Sequence, residues 1–504
     1  MKPPLLKVAI ITGAESVNIK AEGAFQVESE NNLPVECQSG HINISLKESH
    51  PAPIEKWLWC AKYAEEQGAL EYADLLKKKG LQVKLWEIGK TPRNDLWHPR
   101  EYRLLIRIDS EENKQQIIRE ISDIVPVESH VEIDLPAGAP SGVLQIEVNN
   151  EAISSYSVNI RILSDYPLAI MNALVGRGFH WEHAEDLNLP SPLWISIGSD
   201  GKLCAGTEID MESYLVSVNS SEMPADSPQE FLKSQVIAAR SWLLANWGSH
   251  HPGEPYIVCA GDHCQCYYGL SRIEDSSRKA GASTFGLTLM YEGRICDARY
   301  AKTCGGVTEP SFNVWHFSDE AYMGHLRDLP DSEPIDLSEE AGFRSFQMLD
   351  NSSDSCCAPG YANLEGRLGE LAELYRWKVE VQRGELSEII NLKTGSDIGE
   401  IKQVTPIARG PSGRLITVLV TGQHGELKIE PELEIRRILS RTHLPSSAFW
   451  VEEKGTDTLI FHGAGWGHGA GMCQMGAASL ALRGRTYDMI LDHYYPRTSI
   501  QKIY

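Results

Sequence analysis

Residues 462–477 read HGAGWGHGAGMCQMGA, with glycine at every second position of the first ten residues. A short β-like run, LIFHG, enters this stretch, and a helical segment leaves it at about residues 472–483. Glycine has no Cβ atom, so such a backbone can bend sharply and lie close to another surface. We therefore expect a strand-to-helix turn that presents His462, His468 and Gln474 to a ligand groove.

Two nucleotide-binding motifs resemble this glycine run, and neither fits well. Gly465, Gly467 and Ala470 match the dinucleotide-binding pattern G-x-G-x-x-A. A dinucleotide fold needs further strand and helix units after that pattern, but only one short strand is predicted in the residues that follow. A phosphate-binding P-loop needs Gly-Lys followed by Ser or Thr, which this run lacks.

The composition is that of a globular, acidic protein. The chain has 504 residues, 42% of them hydrophobic, which suggests about three domains. Asp and Glu outnumber Lys and Arg by 69 to 47, giving a formal net charge of -22. A field of this sign repels phosphates and anionic headgroups, so no nucleic acid is expected as a partner.

No sequence feature predicts membrane insertion or export. The chain has no run of about 18 apolar residues, so no transmembrane segment is expected. The first residues, MKPPLLKVAIITGAESVNIK, begin with a positive charge, but prolines interrupt them and the apolar stretch is short. An export signal is therefore not evident in this chain.

Short β-like runs alternate with Gly, Asn and Pro in residues 5–47 and again in residues 131–163. Between them, residues 57–80 have a helical periodicity and end in Lys-Lys-Lys-Gly. The strands LQVKLWEI and YRLLIRI and the helix NKQQIIREISDIV follow, which predicts a small α/β unit inserted at about residues 53–125. This unit resembles a SPOR-like peptidoglycan-binding module, and a generic α/β insertion explains it equally well.

The overall prediction is an α+β fold. Residues 1–165 are expected to form a β-rich N-terminal region that contains the inserted unit. Residues 166–504 are expected to form a mixed α+β domain, in which the polar residues 311–375 are irregular.

The segment TEIDMESYLVSVNSSEMP, residues 207–224, predicts a helix capped by Asp210. Its apolar face carries Met211, Tyr214, Leu215 and Val218. Glu222 lies four residues beyond the last of these and continues the same face, up to the stop signal of Pro224. Burial of a carboxylate favours its neutral form and raises its pKa, as a general acid needs near neutral pH. The alternative is a Glu at the helix end that turns outward or caps a neighbour.

A second helix is predicted directly after this one. Ser227, Pro228 and Glu230 form a capping-box pattern with proline at the first helical position. The helix is expected to run to Gly248, and it contains the segment AARSWLLAN at residues 238–246.

Residues 250–269, HHPGEPYIVCAGDHCQCYYG, concentrate histidine and cysteine. The six candidate metal ligands are His250, His251, Cys259, His263, Cys264 and Cys266. Thiolates together with imidazole select zinc among the common metals, and two Cys with one His would leave a fourth position open or filled by water. The alternatives are buried thiols with incidental histidines, or a local disulfide.

Four separated motifs resemble those of the stage II sporulation protein D family (SpoIID/LytB), whose members include lytic transglycosylases of bacterial peptidoglycan. SSEMP and AARSWLLAN resemble its Glu-Met-Pro segment and Ala-Ala-Arg helix, and HCQCYYG resembles its His-Cys-Gln-x-Tyr segment. ARYAKTCGGVTE resembles its Gly-Gly stretch, and GWGHGAGMCQMGA, followed by YYP, resembles its C-terminal signature. The resemblance covers roughly residues 200–504, so residues 166–504 are expected to be a SpoIID-type catalytic domain.

The resemblance implies roles for individual residues. Glu222 takes the position of the catalytic acid/base. Zinc, as the possible cofactor, would be held by His251 or His250 together with Cys259 and Cys264. The implied substrate contacts are Arg240, Gln265, Tyr267, Tyr268, Trp466, His468 and Gln474, although core packing explains the aromatic ones equally well. Two positions depart from the family, because Cys304 and Cys473 stand where serine is usual, and either thiol could reach the groove.

The implied reaction cleaves the β-1,4 bond between N-acetylmuramic acid and N-acetylglucosamine without water and leaves a 1,6-anhydro ring. One carboxylate can serve both proton transfers because the nucleophile belongs to the substrate, unlike the two-carboxylate glycosidases. The expected partners are peptidoglycan glycan strands and a cell-wall amidase, in the cell envelope on the extracytoplasmic or periplasmic side. The alternatives are a non-catalytic peptidoglycan-binding protein that recruits or stimulates an amidase, and zinc-activated hydrolysis.

Overall fold

The computed structural model describes residues 2–29, 32–91, 99–124, 131–179, 181–315, 320–348 and 354–504. The predicted α+β class is confirmed, since 26% of the chain is helical and 37% is in strands that form several sheets. Within the described part of the chain, no helix is both long and apolar enough to span a membrane.

The strands of the described residues are numbered in chain order. They are β1 (Leu5–Ala14), β2 (Ser16–Ala21), β3 (Phe25–Ser29), β4 (Asn32–Cys37), β5 (Gly40–His50), β6 (Ile54–Tyr63), β7 (Val83–Ile88), β8 (Glu101–Ile108), β9 (Val131–Pro136), β10 (Ser141–Val148), β11 (Glu151–Ser157), β12 (Asn159–Ser164), β13 (Leu168–Val175), β14 (His183–Leu189), β15 (Leu193–Ile197), β16 (Leu203–Asp210), β17 (Val258–Cys259), β18 (Leu287–Tyr291), β19 (Arg294–Ile295), β20 (Tyr300–Ala301), β21 (Arg376–Gln382), β22 (Ile401–Arg409), β23 (Leu415–Gly422), β24 (Glu426–Ile429), β25 (Phe449–Lys454), β26 (Thr458–Ala464), β27 (Met472–Cys473) and β28 (Ser499–Lys502).

The helices of the described residues are numbered in the same way. They are α1 (Glu66–Lys78), α2 (Glu111–Ile121), α3 (Met211–Glu222), α4 (Gln229–Ala245), α5 (Asp275–Ser283), α6 (Ser311–Val314), α7 (Glu340–Met348), α8 (Gly366–Ala372), α9 (Arg383–Thr394), α10 (Glu432–Ile438), α11 (Gln474–Leu482) and α12 (Tyr487–Tyr494). The segment expected to be irregular, residues 311–375, contains the three short helices α6, α7 and α8.

Two large sheets enclose the main hydrophobic core. One has the strand order β17-β1-β16-β15-β12-β3-β4 and the other β11-β10-β5-β2-β13-β14. In strand β2, Val17, Ile19 and Ala21 are buried and the residues between them are exposed. This two-residue period is that of a strand with one face in the core. Both sheets contain strands from before and after residue 165. The main hydrophobic core likewise contains residues from both ends of the chain, from Leu6 to Tyr504.

A layer of helices packs against the first sheet and leads into the functional region. Asp210 caps α3 as predicted, because its side chain accepts a hydrogen bond from the Ser213 N–H at 3.0 Å. The capping box predicted for α4 is wrong: the Ser227 hydroxyl has no hydrogen-bond partner, and the Glu230 carboxylate accepts from the Tyr487 N–H at 2.9 Å instead. Helix α4 is buried along almost its whole length, as a central helix must be.

The inserted unit has the order β6-α1-β7-β8-α2-β9, and its antiparallel sheet has the strand order β7-β8-β6-β9. Two interleaved βαβ units of this kind make a ferredoxin-like topology. The predicted helix is wrong for residues 57–63, which lie in β6. This strand is buried on both faces, with Leu58 against the helices and Trp59 on the opposite side, so its apolar run shows no two-residue period.

Residues 376–464 enclose a second core. Two three-stranded sheets, β21-β26-β25 and β22-β23-β24, pack with α9 and α10 around side chains such as Phe449 and Phe461. Strand β26 leads directly into the glycine run, and β27 and α11 follow it. The strand-to-helix turn predicted from residues 462–477 is therefore confirmed.

Candidate functional site

A groove of about 1870 Å³ runs between the first sheet, the inserted unit and the glycine run. Pockets for small ligands usually enclose about 300–1,000 Å³, so this one has room for a segment of a polymer. Its walls come from the end of β1, the β13–β14 turn, the end of α3, residues 297–302 and the glycine run. Residues 250–269, which we call the cysteine-rich loop, form a further wall, and Trp59 and Arg103 of the inserted unit lie at one side.

Glu222 lies in this groove at the last residue of α3, and its side chain is 14% exposed. Its Oε1 accepts a hydrogen bond from the Cys266 N–H at 3.3 Å. The Lys302 ammonium lies 3.8 Å from its Oε2 and donates to its backbone carbonyl at 3.0 Å. Both contacts hold the side chain at the groove surface. Glu222 therefore faces the groove instead of turning outward, and it accepts one backbone N–H from a neighbouring segment.

Asp262 is a second groove carboxylate, and no motif or spacing in the sequence predicted it. It is linked to Glu222 through Cys266, whose thiol donates to the Asp262 Oδ1 at 3.3 Å. The pKa of Asp262 is raised, first because the groove walls desolvate it and then because Glu222 is negatively charged. A negative charge on Glu222 therefore disfavours ionisation of Asp262.

The glycine run approaches the protein's own side chains. Gly465, Gly467, Gly469 and Gly471 all have positive φ angles, between 70° and 94°. A Cβ atom at Gly471 would lie 2.0 Å from the Arg299 carbonyl oxygen, and one at Gly469 would lie 2.2 Å from Arg414 Cζ. Only glycine avoids both the clash and the backbone strain, so the run packs against residues 299 and 414 while its other side faces the groove.

His468 lies on the groove side of this run. Its Nδ1 accepts from the Ala470 N–H at 3.1 Å, and its ring meets Trp315 edge-on at 4.7 Å. Burial lowers the pKa of His468 to about 3, with a further contribution from Arg299, so the imidazole is neutral near pH 7. His462 lies outside the groove, because its place on β26 turns the ring onto Trp450, with a centroid separation of 4.2 Å.

Four of the other predicted substrate contacts line the groove: Gln265, Tyr268, Trp466 and Gln474. The two glutamines are almost fully buried and already bonded. Gln265 accepts from the Tyr214 hydroxyl, and Gln474 donates to the Gln235 side chain at 3.3 Å. These amides therefore support the groove wall from behind.

Arg240 and Tyr267 do not reach the groove. Arg240 is fully buried on α4, where its guanidinium forms a bidentate pair with Glu212 at 2.8 and 2.6 Å. Tyr267 is fully buried and stacks on Tyr214 with a centroid separation of 5.4 Å. Both side chains support the core, which corrects their assignment as substrate contacts. Helix α4 is buried on nearly all sides, so Arg240 lies in the core, where Glu212 pairs with its charge.

An aromatic wall that no local sequence pattern predicted lines the groove. Phe179 stacks between Trp181 and His443, with centroid separations of 4.5 and 4.7 Å. Trp181 meets Trp466 edge-on at 5.3 Å, which continues the wall to the glycine run. These residues come from the β13–β14 turn and from residues far along the chain, so no local pattern predicts that they meet.

The cysteine-rich loop brings four potential metal ligands together: His251, Cys259, His263 and Cys264. Their ligand atoms all lie within 4.8 Å of one another, and His251 Nε2 is 3.2 Å from Cys264 Sγ. We call this set the groove cluster. Two thiols and two imidazoles at this spacing fit the tetrahedral preference of zinc. His250 is not part of it, because its ring packs against Trp242 and His263.

Two family models match parts of the chain. Residues 199–291, which include Glu222 and the groove cluster, match the model described as stage II sporulation protein. Residues 309–471, which include the second core, match a model described as a domain of unknown function (DUF8618).

Several curated proteins are similar to this chain. The amidase enhancer of Bacillus subtilis (strain 168) is 28% identical over 298 residues, 57% of this chain and 40% of the relative. Stage II sporulation protein D of Bacillus amyloliquefaciens is 26% identical over 58% of this chain and 75% of the relative. An uncharacterized protein of Brachyspira hyodysenteriae is 25% identical over 57% of this chain and 66% of the relative. The chain thus spans less than half of the length of the amidase enhancer.

Proposed function

Because the chain belongs to the stage II sporulation protein D family, we propose that it is a lytic transglycosylase of peptidoglycan in the cell envelope, on the extracytoplasmic side. It would cleave the β-1,4 bond between N-acetylmuramic acid and N-acetylglucosamine and leave 1,6-anhydro ends. The observation that carries this proposal is the position of the Glu222 carboxylate, which lies in a polymer-sized groove beside Lys302.

In the first step, Glu222 in its acid form gives its proton to the glycosidic oxygen as the bond from that oxygen to the muramyl C1 breaks. In the second step, the Glu222 carboxylate removes the proton from the muramyl C6 hydroxyl as its oxygen bonds to C1. The carboxyl group is restored and no water is consumed. The contacts of Glu222 with Lys302 and the Cys266 N–H would hold the carboxyl group in one position, so that the same group can serve both proton transfers.

The aromatic wall of Phe179, Trp181 and Trp466 would bind the apolar faces of the sugar rings. The neutral His468 would accept or donate a hydrogen bond to a sugar hydroxyl, since its pKa keeps it uncharged near pH 7. Binding over several sugars would hold the scissile bond at Glu222, and correct positioning of this kind lowers the barrier substantially.

The groove cluster would hold a zinc ion through Cys259, Cys264, His251 and His263. Four protein ligands close a tetrahedral site, so the ion would cross-link the loop and would supply no activated water. The loop also carries the Cys266 N–H that bonds Glu222, so a fixed loop fixes this carboxylate. This arrangement argues against zinc-activated hydrolysis as the function.

The test is mass spectrometry of peptide-free glycan strands incubated with the protein, with Glu222→Gln and with Glu274→Gln as a control. Glu274 is an exposed glutamate at the start of α5 and does not line the groove. Anhydromuramyl ends are expected from the unchanged protein and from the control only. The same products from Glu222→Gln would exclude Glu222 as the acid/base, and no products from any of the three would exclude the reaction.

A second candidate function is favoured by the similarity to the protein named amidase enhancer. In this case the chain would bind peptidoglycan without cleaving it and would recruit or stimulate a cell-wall amidase. The measurement is the rate of stem-peptide release by a purified amidase in the presence of the chain. Equal stimulation by the unchanged protein and Glu222→Gln, with no glycan cleavage by either, would favour this function.

A further inference from the structure

The chain contains a second group of metal-ligating side chains, and none of its members lies in the groove. Cys304, Asp328, Cys357 and Cys473 come from four separate segments, yet their ligand atoms all lie within 4.8 Å of one another. Each of the four is at most 2% exposed. We call this set the buried cluster.

From these four side chains we propose a second zinc site, closed to solvent and structural in role. The Sγ atoms of Cys304 and Cys357 are 3.6 Å apart, and Cys304 Sγ is 3.3 Å from Asp328 Oδ2. Ligands around a tetrahedral zinc ion stand about 3.8 Å apart for two sulfurs and about 3.5 Å for a sulfur and an oxygen, given Zn–S and Zn–O bonds of about 2.3 and 2.0 Å. These two distances are thus within a few tenths of an ångström of the tetrahedral values, and the remaining ligand atoms lie within 4.8 Å of one another.

The backbone around the sulfurs is arranged for thiolates. Two N–H groups, of Cys304 and Gly476, donate to the Cys473 sulfur at 3.3 and 3.4 Å. A third, of Gly306, donates to the Cys304 sulfur at 3.4 Å. The Cys473 sulfur also caps the N-terminus of α11, where the helix dipole favours a negative group. Hydrogen bonds of this kind orient metal ligands and stabilise their charge.

The carboxylate is held in the same way. Tyr494 donates its hydroxyl proton to the Asp328 Oδ1 at 2.7 Å, and the Cys357 N–H donates to Oδ2 at 3.2 Å. His493 Nε2 lies 3.8 Å from Oδ1 and is buried without a hydrogen bond. A fully buried carboxylate beside three sulfur atoms is stabilised by a nearby positive charge, and a divalent cation held by the cluster would lie closer to Asp328 than the His493 ring does.

The donor set selects the metal. Three thiolates and one carboxylate are a soft set that prefers zinc to magnesium or calcium, which take oxygen ligands. A disulfide between Cys304 and Cys357 would require the sulfurs to approach to about 2.05 Å and would leave Cys473 and Asp328 together without a cation.

Such an ion would connect segments that lie far apart in the sequence. Cys304 follows Lys302 by two residues, and Cys473 precedes the groove residue Gln474. Asp328 and Cys357 belong to residues 309–471, which match the separate family model. The ion would therefore fasten this block to the glycine run and would hold Lys302 beside Glu222.

The experiment counts zinc per chain by elemental analysis and by native mass spectrometry, on the full chain after dialysis against a weak chelator. A variant with both Cys259→Ser and Cys264→Ser, which removes the thiols of the groove cluster, is expected to retain one zinc per chain. Adding Cys304→Ser and Cys473→Ser is expected to remove it, whereas adding Cys356→Ser is expected to leave it, since Cys356 is buried beside the cluster but is not one of its members.

Zinc absent from the Cys259→Ser, Cys264→Ser variant would overturn the proposal, as would a disulfide between Cys304 and Cys357 in peptide mapping without reductant. A second measurement uses the unchanged protein, so that it tests the proposal even if a variant fails to fold. Cobalt is exchanged for zinc, and the thiolate-to-cobalt absorption is expected to correspond to five bound thiolates, two from the groove cluster and three from the buried cluster. Absorption from two or fewer thiolates would also overturn it.

Discussion

The groove cluster and the buried cluster have similar donor atoms, but the chain assembles them differently. The members of the groove cluster lie within one short segment, from His251 to Cys264, and part of this segment is exposed. The members of the buried cluster are spread from Cys304 to Cys473, and all are in the core. A local cluster depends on the conformation of one loop, whereas a dispersed one forms only when the whole domain is folded. The two clusters should therefore differ in stability and in access to solvent. Glu222, the proposed acid/base, is a member of neither cluster.

The largest effect is expected at Glu222, which contacts Cys266, two residues after the groove cluster, and Lys302, two residues before Cys304 of the buried cluster. Glu222→Gln should lower the rate of glycan cleavage about 10²–10⁴-fold, because a positioned general acid/base contributes about that much. The zinc content and the melting temperature should not change, since Glu222 is a ligand in neither cluster. The measurements are product formation, zinc content and thermal unfolding on the same preparation. A large loss of zinc would show that the variant disturbs a cluster and that its rate says nothing about catalysis.

The next effect compares the stability of the two clusters. Asp328→Asn should lower the free energy of unfolding by about 3–5 kcal/mol, because it leaves buried charges without their partner. His263→Gln should lower it by about 1 kcal/mol or less, since His263 is exposed. Denaturant titration of both variants measures these values. Equal losses would mean that the groove cluster is as important to the fold as the buried cluster.

A third effect appears only on acidification and concerns the glycine run, which lies between the groove wall and Cys473 of the buried cluster. The pKa of His468 is about 3 in the folded chain and about 6.5 when unfolded, so the unfolded state binds its proton first as the pH falls. Its contribution to stability is complete above pH 6.5 and is lost between pH 6.5 and 3, by up to about 1.4 kcal/mol per pH unit.

His468→Gln should therefore show a shallower decline of stability over that range than the unchanged protein. The measurement is the free energy of unfolding at several pH values. Parallel curves for the two proteins would exclude a depressed pKa at His468.

The smallest effect is kinetic. A strong chelator should remove zinc from the groove cluster before the buried cluster, because access to the second requires the core to open. Two phases of zinc release are expected with a metal-sensitive dye, and the fast phase should be missing from the variant Cys259→Ser, Cys264→Ser. A single phase would indicate that the two clusters open together.

Local patterns in the sequence predicted the elements that position Glu222. The helix with Asp210 as its cap is confirmed, as is the strand-to-helix turn at the glycine run. Local patterns predicted the wrong structure for β6, which is buried on both faces. They also predicted a capping box at Ser227 that does not form, because Glu230 accepts from the Tyr487 N–H instead. In both cases tertiary contacts outweigh the local preference.

The sequence by itself determined which residue types are available for chemistry and where short-range order places them. The glutamate at the end of α3, the histidines and thiols of one loop, and the glycines of the turn are all readable from spacing. Only the tertiary structure decided which side chains face the groove. It buried Arg240 against Glu212, placed Asp262 near Glu222, and brought Cys304, Asp328, Cys357 and Cys473 together across the fold. The reason is that contacts between distant segments depend on how sheets and helices pack, and no periodicity along the chain encodes that packing.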